Sequence, residues 1–479
     1  MKRLFQSLKL LLCLSFCCMA GQPNVLMISI DDLNDWIGCM QGHPNTKTPN
    51  IDRLAERGVV FDNAHCPAPL CGPSRAAIMS GLTPATTGIY AHIHDEDLKQ
   101  SAASQSVFLP KWFADHGYRT MGRGKIFHEN APEGQFHELV GRESPRFGPK
   151  APKHFKWEQP RTSTDWGAFP ESDELMPDYQ TAAWAAERLA KPYEQPFFLA
   201  VGFVRPHVPW YVPQKWFDLH PVESIQLPPY KAGDQDDVPE IARRIMELPQ
   251  MPTTEWALEN GEWKNIVQGY LASISFVDHC VGMVLDALEE SGHAENTIVV
   301  LWSDHGYHLG EKNRFAKQSL WQRATRVPFI ISAPGFSEGK HSARTVSLMD
   351  LYPTLLDVCG LPANKKNEGK SLVTLLRNPD ARWDRPAIIT YGENNHAVVT
   401  EDYRYIRYED GSEEFYDLNK DRNEWHNQSA NPEYEKVKKQ LRKKLPKTNT
   451  PWSPWTFVPC NDYFREKTKA GYKGDKLEG

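Results

Sequence analysis

Acids, cations and histidines recur along this chain at the ends of apolar runs. "NVLMISI" leads into Asp31-Asp32, and "TIVVLWS" leads into Asp304-His305. Three carboxylates and one imidazole suit a hard divalent cation such as Ca2+ or Mg2+ and argue against structural zinc. Adjacent side chains on an extended strand point to opposite faces. Asp31 and Asp32 can therefore share an ion only if the strand has ended and the chain is turning. Arg75, Lys125 and Lys317 can each neutralise an oxygen of a sulfate or phosphate. Lys125 sits in "GRGKIFH", where two glycines let the backbone approach a ligand and His128 follows one turn on. His207 sits in "RPHVPW", and the flanking prolines fix its backbone. That rigidity suits a histidine held to donate a proton.

Cys71 stands in "APLCGPSRAAIMSG", Ala68 to Gly81. Pro73 can open a helix, and a helix N-terminus stabilises negative charge and attracts anions. A thiolate nucleophile with histidine and acid partners is one reading of this cysteine. Apart from the closeness of Cys66 to Cys71, the cysteine spacing shows no metal knuckle.

The run "PLCGPSRAAIMSG" resembles the sulfatase signature: Cys, any residue, Pro, Ser, Arg, then a short helix ending in Gly. "NVLMISIDDL", "TPNIDRLAERG", "GYRTMGRGKIFH", "FFLAVGFVRPHVP", "LWSDHGYHLGE", "FAKQSLW" and "YRYIRYEDGSEEFYDL" resemble that family's other blocks in order and position. "GKIFH", "RPHVP" and "SDHG" with "AKQSLW" are most similar to the iduronate-2-sulfatase-like branch.

The resemblance implies an alkaline-phosphatase-like α/β fold and hydrolysis of sulfate esters on a sulfated saccharide. It implies that Cys71 is converted to formylglycine (3-oxoalanine), whose hydrate is the nucleophile. A formylglycine-generating enzyme would read Pro73 and Arg75 during that maturation. It implies one calcium ion held by Asp31, Asp32, Asp304 and His305 together with the hydroxyl derived from Cys71. Arg75, Lys125 and Lys317 would hold formylglycine or sulfate oxygens. His128 would be the base that later expels sulfate, and His207 the acid toward the leaving sugar oxygen. The branch gives the chemistry but not the sugar, because "AHIHDEDLK", with His92, His94, Asp95 and Glu96, falls where subfamilies vary their substrate contacts. The competing expectation is a phosphoester or phosphonate monoester hydrolase of the same superfamily. Such enzymes often bind two transition metals through extra histidines, and no second set is evident in the sequence.

These residues need elements to position them. The apolar runs alternate with helix-period segments such as "YQTAAWAAERLA" and "GYLASISFVDHCVGMVLDALEESG". That alternation predicts a mostly parallel sheet sandwiched by helices, with functional groups beyond the C-terminal strand ends. Of the runs ending near such groups, "RVPFIIS" alone delivers none, leading into Ala333-Pro334-Gly335. Residues 129–178 and 222–260 lack periodicity and suggest long ordered insertions over a binding face. From about residue 380 the pattern becomes alternating, turn-punctuated and tyrosine-rich, which predicts antiparallel strands followed by a basic helix. The cluster "KVKKQLRKKLPK" suggests a solvated helix face. The expected organisation is a signal peptide at 1–20, a catalytic domain at 21–379 and a smaller α+β subdomain at 380–479.

Composition bounds the rest. The chain has 479 residues and a net charge of -6, which weighs against nucleic-acid binding. Lys2 and Arg3, the apolar "LLLCLSFCCMA" and Ala20 form an export signal too short for a stable membrane span. A periplasmic or secreted protein is expected. Cleavage would leave Cys39, Cys66, Cys71, Cys280, Cys359 and Cys460, which can pair in an oxidising compartment.

Overall fold

The β-branched runs pair into one large sheet. The structure is a computed structural model that describes residues 21–142, 144–155, 162–457 and 461–468. The signal-peptide reading of residues 1–20, and Cys460, lie outside the described residues. The strands are β1 (Asn24–Ile30), β2 (Val59–His65), β3 (Arg119–Gly124), β4 (Glu138–Gly141), β5 (Phe197–Phe203), β6 (Thr297–Ser303), β7 (Phe329–Ser332) and β8 (Lys340–Ser347). Their order is β8-β2-β7-β6-β1-β5-β3-β4. β1 lies parallel to β5 and β6, pairing Ser29 with Gly202 and Ile30 with Ser303. β7 runs antiparallel to both of its neighbours, β2 and β6. Every other strand points one way, so the sheet is mixed but mostly parallel, as expected. β7 is the "RVPFIIS" run. Its reversal carries its C-terminal end away from the others, which is why that run ends without chemistry-bearing residues.

Strand periodicity divides the sheet between two cores. Leu26, Ile28 and Ile30 of β1 enter one core with α1 (Pro49–Ala55), α3 (Pro177–Leu189) and α4 (Trp263–Glu290), while α2 (Cys71–Ser80) and α5 (Leu351–Val358) lie elsewhere. Val25 and Met27 enter the second core, with Ile78 and Met79 of α2 and Leu355 of α5. β5 alternates the same way: Leu199 and Val201 to one side, Phe198 and Ala200 to the other. Each fully buried aliphatic side chain contributes about 1.5–3 kcal/mol, and this double burial fixes where the strand ends lie. α4 is long and apolar enough to cross a membrane. Its Ile266, Tyr270, Ile274, Val277 and Val281 are instead buried in the first core.

A second, antiparallel sheet follows, with β9 (Ala387–Thr390), β10 (His396–Val399), β11 (Tyr403–Arg407) and β12 (Glu413–Asp417) in sequence order. Ile389, Ala397 and Ile406 of this sheet pack on Leu320 and Trp321 of the main body. The basic helix α6 (Glu435–Arg442) is not simply a solvated face. Lys438 and Leu441 are buried, and Lys438 Nζ lies 3.3 Å from Glu413. The 222–260 insertion carries two short helices, Glu240–Met246 and Thr254–Glu259. Cys39, Cys66, Cys71, Cys280 and Cys359 are free thiols, so no disulfide forms among the described residues.

Candidate active site

Five strand ends meet at one point. β1 delivers Asp31 and Asp32, β6 delivers Asp304 and His305, β3 delivers Lys125 and His128, and β5 delivers His207. β2 feeds the turn into α2, whose first residue is Cys71. The chain does turn after Asp31: Asp32 has φ 63°, the left-handed region that a non-glycine residue seldom occupies. Its backbone is held there from both sides. The Asp32 N–H donates to Asp304 Oδ1 at 3.3 Å, and the Asp32 carbonyl accepts from the Tyr270 hydroxyl at 2.7 Å. This local strain brings two successive carboxylates to the same place.

α2 begins at Cys71 because Leu70 is extended and Pro73, in the first turn, needs no N–H partner. It ends at Gly81, whose φ of 75° and N–H donated to Ala77 close the last turn. Every residue of the helix is buried. The Cys71 Sγ lies 3.1 Å from His305 Nε2 and 3.4 Å from Lys317 Nζ. One turn on, Arg75 Nε donates to Asp304 Oδ2 at 2.7 Å, and Nη1 donates to the carbonyls of Ile126, at 3.1 Å, and Lys125. Lys125 Nζ pairs with Asp31 Oδ2, and Lys317 Nζ with Asp32 Oδ1 at 2.6 Å. Asp31, Asp304 and Arg75 are wholly buried. Buried ion pairs of this kind seldom add stability, so the surrounding cores must carry them.

The electrostatics follow from this crowding. Burial alone would raise the Asp31 carboxyl, but Lys125, His207 and Arg75 hold it well below the usual range. Burial raises Asp32, with Lys317 opposing. Burial would lower His305, but Asp304 and the Cys71 thiol push it up to about 9. Burial lowers His207 and His128 well below the usual imidazole value. His207 Nδ1 meets the Val208 carbonyl at 2.6 Å. A carbonyl only accepts, so Nδ1 carries the proton and Nε2 is the free end, 3.9 Å from Asp32 Oδ2. His128 stacks on His92 with ring centroids 4.2 Å apart.

A cation fits this donor set. Asp31 Oδ1 and Asp32 Oδ2 are buried without any hydrogen-bond partner, which is costly for carboxylate oxygens unless something positive binds them. Ligand atoms of Asp31, Cys71, Asp304 and His305 all lie within 4.8 Å of one another, as do those of Asp31, Asp32, Cys71 and His207. Both groups share Asp31 and Cys71, so they describe one place.

The residues read from the sequence as catalytic groups and metal ligands are thus brought together: Asp31, Asp32, Cys71, Arg75, Lys125, His128, His207, Asp304, His305 and Lys317. Sequence reasoning missed Arg142 and Phe147, which stand in the aperiodic 129–178 stretch. Arg142 Nη1 donates to the His128 carbonyl at 2.9 Å, and the Phe147 ring lies 5.4 Å from that of His207. The variable segment after Tyr90 supplies His92 to the site itself.

This sheet, with a helix that begins at a buried cysteine and an acid cluster at its strand ends, defines a class. The sulfatase family model matches residues 23–361, and the model described as N-sulphoglucosamine sulphohydrolase, C-terminal, matches residues 310–450. The chain belongs to the sulfatase family and is a sulfuric ester hydrolase. It is 52% identical to a sulfatase of Formosa agariphila over 94% of this chain and 91% of that one. It is 30% identical to the iduronate 2-sulfatase of Homo sapiens over 75% of each chain. Among solved structures, one determined with its substrate D-glucosamine-2-N,6-O-disulfate superposes with a TM-score of 0.70 at 21% identity, covering 89% of this chain and 97% of that chain. The phosphonate monoester hydrolase of Agrobacterium radiobacter superposes with a TM-score of 0.74 at 20% identity, covering 88% and 94%. These two likenesses show the shared alkaline-phosphatase-like fold.

Proposed function

We propose that this chain is an exported, calcium-dependent sulfatase that removes sulfate from a sulfated saccharide after Cys71 has been converted to formylglycine. The observation that carries the reading is the pair of orphaned carboxylate oxygens, Asp31 Oδ1 and Asp32 Oδ2, beside a buried Cys71 that meets Lys317, with Arg75 and Lys125 both against Asp31. When bound, Ca2+ would supply charge to hold a sulfate oxygen and to lower the pKa of a ligand hydroxyl. Asp31, Asp32, Asp304, His305 and the oxygen derived from Cys71 are the residues that would hold it. The formylglycine hydrate would supply a nucleophile able to shed sulfate without water attacking a second ester.

This chain's own residues do the rest. A sulfate monoester is anionic and repels nucleophiles, so Lys125, Lys317 and Arg75 offset its charge and orient it toward position 71. His207, held through Nδ1, would act as the acid toward the bridging oxygen of the leaving sugar once Nε2 takes up a proton beside the bound sulfate. His128 has an unpartnered Nδ1 and serves as base in the release of sulfate. Cys71 is 1% exposed, so a formylglycine-generating enzyme must reach Cys71, Pro73 and Arg75 before the chain folds. The signal-like residues 1–20 support export to a periplasm or the exterior.

The names of relatives, iduronate 2-sulfatase and the ulvan-active sulfatase of Formosa agariphila among them, support a saccharide substrate. The phosphonate hydrolase likeness concerns the fold, and the candidate ligand groups among the described residues centre on one ion site, which favours sulfate over phosphonate. The test is sulfate release from a panel of sulfated mono- and oligosaccharides beside matched phosphate and phosphonate monoesters, with Cys71→Ala as control. Sulfate release that Cys71→Ala abolishes is expected. Turnover of phosphorus esters alone, or full activity in Cys71→Ala, would overturn the reading.

A further inference from the structure

Arg142 is a charged group that the mechanism above does not use, yet it lies against two of its parts. Its Nη1 donates to the carbonyl of His128 at 2.9 Å. Its guanidinium carbon lies 5.6 Å from the centre of the Phe147 ring, and that ring lies 5.4 Å from His207. Arg142 therefore reaches from the base that releases sulfate toward the acid that faces the leaving sugar. Its backbone is anchored, since the Arg142 N–H donates to Asn130 Oδ1 at 2.9 Å.

The remaining guanidinium nitrogens are the informative part. Nε and Nη2 are both buried and have no hydrogen-bond partner. A guanidinium forks its donors so that Nε and one Nη can meet the two oxygens of a single anion. Here both donors of that edge lack a protein partner, on a side chain that is only partly buried. No carboxylate of the protein makes a salt bridge with it among the described residues; nearby Glu129 lies 3.7 Å from Arg146 and 3.1 Å from His94 instead. Native structures leave few buried donors unsatisfied, and those they do leave commonly await a ligand or water. The scissile sulfate already has Arg75, Lys125 and Lys317, so a further fork on the sugar side suits a different group.

We propose that Arg142 is a specificity-determining residue that recognises a second anion on the substrate, a carboxylate or an additional sulfate carried by the sugar whose ester is cleaved. Phe147 forms the wall that sets the sugar between this fork and His207. The proposal rests on the sulfatase reading and deepens it. It predicts a substrate built from uronic acid or multiply sulfated units rather than a neutral sugar bearing one sulfate.

The test compares kcat/KM on matched substrates for wild type, Arg142→Gln and Arg142→Lys. The substrates are a sulfated uronic acid, the same sugar with its carboxylate reduced to the alcohol, a disulfated hexosamine, its monosulfated counterpart, and an aryl sulfate. Wild type is expected to prefer one two-anion substrate over its one-anion counterpart by about 30-fold, the scale of a charge-assisted bidentate contact. Arg142→Gln is expected to collapse that ratio toward one, and Arg142→Lys to recover part of it. The uronate pair against the hexosamine pair tells which anion is read. An unchanged ratio in Arg142→Gln overturns the proposal, as does an equal loss on all five substrates, which would assign Arg142 to positioning His128. Thermal unfolding of each variant separates these outcomes from misfolding. If wild type cleaves none of the sulfate esters, the sulfatase reading itself fails; if it cleaves them without discrimination, only the role of Arg142 fails.

Discussion

At the scale of single residues, the site sets three carboxylates against three cations, with each side chain proposed for one step of sulfate ester cleavage. His207 makes this testable. General acid catalysis contributes about 10²–10⁴-fold, and it matters most when the leaving oxygen is a poor leaving group. His207→Ala should therefore lower kcat on a sugar sulfate by at least about 100-fold, and lower turnover of an aryl sulfate far less. Equal losses on both, measured by steady-state kinetics, would remove the acid role. Most of these residues were legible in the sequence because each follows directly on an apolar run: Asp31-Asp32, Lys125, His207 and Asp304-His305. Arg142 and Phe147 were not, because they lie in an aperiodic stretch where no strand or helix period announces which way a side chain faces. The distinctive cysteine motif was what tied Cys71 to the other groups; its neighbours alone left a plain thiolate open.

At the scale of elements, the site depends on how closely β3 and β5 approach at their ends. A Cβ on Gly202 would meet the Lys125 carbonyl carbon at 2.2 Å, and the Lys125 N–H donates to the Gly202 carbonyl at 2.9 Å. Gly202→Ala should push Lys125 from Asp31, cost about 1–3 kcal/mol of stability and cut activity. Denaturant unfolding and sulfate release check the two effects together. Helix docking has its own signature. Asp278 of α4 accepts from the N–H groups of Asn50 and Ile51 at the start of α1, at 3.2 and 2.8 Å. Burial nonetheless pushes its carboxyl from the usual 3.8 up to about 6. The folded state thus holds this proton more tightly than the unfolded chain. The contribution is full below pH 3.8 and is lost as pH rises through 6. Asp278→Asn should remove roughly 3 kcal/mol of stability change between those limits, read as a flatter pH profile of unfolding than that of wild type. Helices and strands were largely readable from periodicity. The inward face of α6 was not, because Lys438 is buried by a partner, Glu413, that only the antiparallel sheet brings near.

At the scale of the whole molecule, the second sheet clamps the loop that carries Lys317. Arg404 of β11 is fully buried, pairs with Glu424 and donates to the Leu320 carbonyl at 2.8 Å. Trp321 donates to Glu414 of β12 at 2.8 Å, and the Gln322 N–H donates to Glu424 at 2.8 Å. Contacts across about a hundred residues leave no trace in local sequence pattern, so this coupling was invisible before the structure. Arg404→Met leaves Glu424 buried without its partner, which should cost about 3–5 kcal/mol and weaken sulfate binding through Lys317. Unfolding and KM should move together; a stable variant with unchanged KM would uncouple the second sheet from the site.

The proposed chemistry turns on what Cys71 becomes. The most direct measurement is the mass of the peptide spanning Cys71, taken from fully active enzyme made in a host able to mature sulfatases. The aldehyde form, with the thiomethyl group replaced by a formyl group, is the expected result. Unmodified cysteine throughout an active preparation would contradict the account.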